Sequence, residues 1–137
     1  MQSDSATGLL EIAGGTLTSA SNGSFNAVGN VKWTGGTIAG TFNVKPGSAF
    51  ALSGDAVKWI GDGGIINNSG AATWSPAGLL RGYQNSTWNN KSGSSFTVTG
   101  DGDVLSNNYG GNVFTNEAGA SFIKTAGAGG DASSYLD

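Results

Sequence analysis

The chain has 137 residues, a net charge of −3, 25 glycines, no cysteine and no histidine, and only 11% of it is charged. Its length supports one domain with a real core, while the missing thiols and imidazoles exclude disulfides, thiolate or imidazole metal sites and a Ser-His triad. The few cations are scattered singly (Lys32, Lys45, Lys58, Arg81, Lys91, Lys124), so no basic stripe exists to neutralise phosphates and no nucleic-acid partner is expected.

No run approaches the roughly 20 apolar residues that span a bilayer, so no membrane insertion is expected. Met1-Gln-Ser-Asp-Ser lacks the basic start and apolar stretch of an export signal, so an exported form would rely on a signal already removed or carried by a longer parent.

Along the chain, Leu9-Leu10-Glu11-Ile12 is apolar enough to be a strand, and Gly14-Gly15-Thr16-Leu17 follows it as a Gly-led turn before an apolar pair. That turn pattern returns at Gly35-Gly36-Thr37-Ile38, Gly63-Gly64-Ile65-Ile66, Ala77-Gly78-Leu79-Leu80, Gly102-Asp103-Val104-Leu105 and Gly110-Gly111-Asn112-Val113. A second pattern, a large apolar residue followed by Asn and then Gly, starts at Phe25-Asn26-Ala27-Val28-Gly29 and recurs with anchors at Gly47, Gly70, Gly93 and Gly119.

The anchors lie 18, 23, 23 and 26 residues apart, the period of a solenoid coil. Ala49-Phe50-Ala51-Leu52-Ser53 and Ser95-Phe96-Thr97-Val98-Thr99 alternate with period two, and no window sustains a 3.6-residue period. Gly and Asn supply the positive φ that coil corners need. The sequence thus predicts an all-β fold, a parallel β-helix (β-solenoid) of about six short coils forming a single domain over 1–137.

Three residues before the anchors stand Asn26, Val44, Asn67, Asn90 and Asn116; three after stand Phe50, Phe96 and Phe122, and four after stand Trp33 and Trp74. With coils stacked at about 4.8 Å, Asn26, Asn67, Asn90 and Asn116 are expected to form one amide ladder, and Phe50, Phe96 and Phe122 to stack inside.

The phrase NNSGAATW, the aromatic-Asn-x-x-Gly-x-x-Phe repeats and the closing FTNEAGASFIKTAGAGG resemble repeats of large secreted or surface-displayed bacterial β-solenoid proteins, autotransporter-like and haemagglutinin-like adhesins among them, over roughly residues 14–130. The resemblance implies right-handed coiling, a secreted or cell-surface location, and a structural or adhesive role without catalysis. Neither end shows a clear cap, so either the termini provide modest caps or coils stack end to end on copies of the chain or on neighbouring repeats, which is the expected partnership.

Chemistry is sparse. Only Asp101-Gly102-Asp103 sets two carboxylates close together, and glycine beside them reads as a solvated turn; clustered acids there would be the mark of a polysaccharide-degrading enzyme. Residues 61–64 read as a corner rather than a phosphate cradle, and 127–131 lack calcium-roll spacing. Two Thr-x-Thr segments are too few for an ice-binding face. No catalytic residue, cofactor or metal is expected. Four Trp and three Tyr leave one binding alternative, a carbohydrate-binding module, with Trp59, Tyr83, Trp88 and Tyr109 as the glycan-contacting candidates near Asn85, Asn89 and Asn108. Trp88 also fits the core, because it holds a repeat position where Phe appears.

Overall fold

The computed structural model describes residues 3–75, 78–100, 104–106 and 110–125. Its strands are β1 (Ser3–Ile12), β2 (Thr16–Thr18), β3 (Ser24–Trp33), β4 (Gly36–Ala39), β5 (Thr41–Val44), β6 (Ala49–Leu52), β7 (Lys58–Ile60), β8 (Ile65–Asn68), β9 (Ala71–Trp74), β10 (Leu80–Gly82), β11 (Thr87–Asn90), β12 (Ser95–Val98), β13 (Val104–Ser106), β14 (Val113–Asn116) and β15 (Ser121–Lys124). There is no helix among the described residues.

Strands do not pair with their neighbours in sequence. They pair in parallel with strands one coil away, in three stacks: β3-β5-β8-β11-β14, β3-β6-β9-β12-β15 and β2-β4-β7-β10-β13. β1 lies along the whole of β3, and both run through a corner, so each serves the first two stacks. The chain is a β-solenoid. The first two coils each carry one long and one short strand (β1 with β2, β3 with β4), the next three carry three strands each, and β14 and β15 begin a sixth.

Alternation decides what goes inside. In β6, β9 and β12 the second and fourth residues are buried and the others face out. Along the second stack the inward pairs are Leu10/Ile12, Val31/Trp33, Phe50/Leu52, Ala72/Trp74, Phe96/Val98 and Phe122/Lys124. Large and small residues are complementary between coils. Where Ala72 leaves room, Trp88 of the first stack leans in and stacks on Phe50 at 5.6 Å, and meets Phe96 edge-on at 5.0 Å. Phe96 and Phe122 stack directly at 5.5 Å, as the sequence pattern predicts, whereas Ala72 separates Phe50 from that pair. Each such ring contributes roughly 1.5–3 kcal/mol through burial. The Nε1 atoms of Trp33, Trp74 and Trp88 are enclosed without an acceptor, so these indoles are held by area and stacking alone.

The single amide ladder expected from the glycine anchors resolves into two. Asn26, Asn43, Asn67 and Asn89 share one register on the half-buried outer side, while Asn68, Asn90 and Asn116 share the next register, facing inward. The reason is corner length. Strands β5/β6, β11/β12 and β14/β15 are joined by four residues, with Gly47, Gly93 and Gly119 third at φ of 80°, 82° and 84°; β8/β9 are joined by Ser69-Gly70 alone. Counting back three from the anchor therefore lands on different strand positions in the two corner types. Gly70 is required for another reason: a Cβ there would run into the carbonyl oxygen of Ser48 in the coil below.

The Gly-led turns also mix two corners. Thr16-Leu17, Thr37-Ile38, Leu80 and Val104 belong to the third stack, but Ile65-Ile66 and Val113 open strands of the first. The third-stack strand of coil three is instead Lys58-Trp59-Ile60, hidden from the pattern because a lysine occupies the inward position held by Leu80 one coil on. Lys58 is fully buried, and its Nζ donates to the carbonyl oxygens of Gly54 and Ala56, both at 3.0 Å, tying the corner before β7 to the core. Burial pushes its ammonium below the usual lysine range, partly opposed by the Asp55 charge.

Candidate functional site: an aromatic and cationic patch on the third stack

The outward column of the third stack reads Thr16, Thr37, Trp59 and Arg81 in successive coils, and Ser106 is the backbone partner of Arg81 in the next. β7 and β10 fix Trp59 and Arg81 one directly above the other. Tyr83 follows β10, its N–H donating to Ile60 O at 2.9 Å and so continuing the inter-coil ladder. The same register, carried one residue on, sets Gly61 beneath Tyr83. With no side chain below it, the Tyr83 ring leans over onto Trp59 at 4.6 Å between centroids and 32° between planes. Arg81 Cζ lies 5.7 Å from the Trp59 ring, within cation–π range.

The patch is accessible: Tyr83 is 39% exposed, while Trp59 and Arg81 are half-buried. Arg81 Nε is enclosed without a hydrogen-bond partner, and no described carboxylate pairs with the guanidinium. Among the described residues the ion pairs lie elsewhere, Lys32 with Glu11 at 3.2 Å and Lys91 with Glu117 at 2.7 Å. Hydrogen bonds from Lys91 and from the Ser92 N–H hold the Glu117 carboxyl below its usual range.

Of the four aromatic residues the sequence singles out, Trp59 and Tyr83 come together on the surface. Trp88 does not join them: it is 0% exposed, packed among Phe50, Phe96 and Phe114, because strand alternation turns the second residue of β11 inward. Tyr109, with Asn108, Asp101 and Asp103, lies outside the described residues. Asn85 sits in the turn after Tyr83 at φ 57°, the conformation expected of a corner asparagine, and Asn89 belongs to the outer ladder. Arg81 was not legible as a site residue. Aligning Lys58-Trp59-Ile60 with Leu80-Arg81-Gly82 would have exposed it, but the buried lysine breaks that alignment.

A second concavity of about 330 Å³ lies at the corner between the first two stacks. It exists because the two-residue corner at Gly70 sits between the four-residue corners ending in Ser48 and Ser94, leaving a notch lined by Ser48, Ala49, Gly70, Ala71 and Ser95. These residues bring no ionisable group and no large side chain. Among the described residues, no three of His, Cys, Asp and Glu are grouped closely enough to hold a metal ion.

Comparison with protein-family models, with curated proteins and with solved structures returns no match to this chain. The fold is therefore the level at which the chain can be classified.

Proposed function

We propose that this β-solenoid is a non-catalytic structural and adhesive module of a secreted or surface-displayed bacterial protein, a stiff element that spaces or presents what is attached to it. The observation that carries this reading is the pair of amide ladders, which cross-link successive coils on both faces of the first stack. Inter-coil cross-links of this kind stiffen the long axis and leave the outer faces free for contact. Stacking on copies of the chain or on neighbouring repeats is part of the proposal, since the strand edges of a solenoid coil can pair with a further coil. Beads coated with the chain test it. Fold-dependent attachment to a polysaccharide film, or to beads bearing the same chain, supports the module; absence of both, together with turnover of any glycan, would replace it with an enzyme.

A specific observation favours a second reading, carbohydrate binding. Trp59, half-buried, and Tyr83, exposed, form a two-ring platform on a sheet, the arrangement on which the apolar face of a sugar ring stacks. Loss of glycan-induced fluorescence change in Trp59→Ala would test it, because the other three Trp are buried in the core.

A further inference from the structure

We infer that Trp59, Arg81 and Tyr83 together form a subsite for a carboxylated sugar, so that the glycan preferred by this surface is a polyuronate; this rests on the carbohydrate-binding reading. Arg81 keeps a guanidinium half-buried over Trp59, with Nε enclosed and no described carboxylate to balance it. An enclosed donor left without a partner keeps its full desolvation cost. Packing alone does not require this residue, since Thr16 and Thr37 fill the same column in the first two coils with small neutral side chains.

A carboxylate supplies what the guanidinium lacks. Its planar pair of oxygens matches the guanidinium fork, giving charge-assisted hydrogen bonds about twice as strong as neutral ones. Trp59 and Tyr83 offer the flat surface beside it, so a uronate ring stacking on the platform carries its C6 carboxylate to the arginine. Thr37, one coil before Trp59 in the same column, places a hydroxyl beside the patch for a sugar hydroxyl. The net charge of −3 provides no long-range attraction for a polyanion, so recognition is short-range and acid selectivity resides in Arg81.

The test measures tryptophan fluorescence of the whole chain against polygalacturonate and alginate, with fully methyl-esterified polygalacturonate and a neutral galactan as the uncharged comparison. The expected result is saturable binding of both polyuronates, at least tenfold weaker binding of the esterified polymer, and an Arg81→Gln variant that binds free and esterified polymers alike. Arg81→Lys, which keeps charge without the fork, should retain only part of the preference. Equal binding of free and esterified polymer by the wild-type chain overturns the acidic subsite while leaving glycan binding intact. Absence of binding to any of the four polymers overturns both.

Discussion

Asn67 and Asn68, adjacent in β8, hydrogen-bond along the solenoid axis in opposite directions. Asn67 Nδ2 donates to Asn43 Oδ1 at 2.9 Å in the preceding coil, and Asn68 Nδ2 donates to Asn90 Oδ1 at 2.8 Å in the following one. The outer ladder continues the first sense from Asn89 through Asn67 and Asn43 to Asn26, and the inner ladder the second from Asn68 through Asn90 to Asn116. Antiparallel amide ladders set back to back in one strand bind each coil to both neighbours.

The two ladders should differ in energy because they differ in burial. Asn90 accepts from Asn68 and Ser94 and donates to Asn116 and the Ser121 carbonyl, all within the interior or at its edge. Asn90→Ala strands those partners and is expected to cost about 2–4 kcal/mol. Asn67→Ala removes half-exposed bonds that water can replace, at about 1 kcal/mol. Urea denaturation of the two variants checks the order.

Lys58 should give the stability curve a distinct alkaline slope. Its folded pKa is depressed by burial, so between that value and the ordinary lysine range the unfolded chain holds more protons and stability rises with pH. Lys58→Met removes the titration, and the difference in unfolding free energy between wild type and variant should shift in favour of the wild type as pH is raised through that window. A pH-independent difference would mean the buried ammonium titrates normally.

The unpaired indole nitrogens predict tolerance. Trp33→Phe trims volume but also removes an enclosed donor that has no acceptor, so the net cost should fall to about 1 kcal/mol, below the usual aromatic truncation. Thermal unfolding of this variant beside Trp33→Ala, at about 3–5 kcal/mol, measures the gap.

End-to-end stacking has a specific opponent. Lys124 holds the inward register of Ile12, Trp33, Leu52, Trp74 and Val98, so a second copy seated on the sixth coil must desolvate an ammonium. Stacking of the wild-type chain is accordingly expected to be weak, and Lys124→Leu should raise the apparent size at a given concentration in light scattering.

The solenoid and its coil spacing were legible because glycine corners recur once per coil and strand alternation is uninterrupted. The ladder register was not, because Ser69-Gly70 closes in two residues what Lys45-Pro46-Gly47-Ser48 closes in four, and sequence spacing to glycine cannot distinguish them. The site was half legible. Trp59 and Tyr83 are visible as aromatics outside the Phe/Trp repeat, whereas Arg81 is recognisable only once β10 is known to lie on β7.

The most direct test of a stiff spacing module is to stretch single molecules from end to end between handles of known unfolding behaviour. With 17 to 26 residues separating equivalent positions in adjacent coils, peeling one coil should release a contour length of about 60–90 Å, and the account predicts force-resisting steps in that range or sums of them. A trace that extends smoothly, without resisting steps, would contradict it.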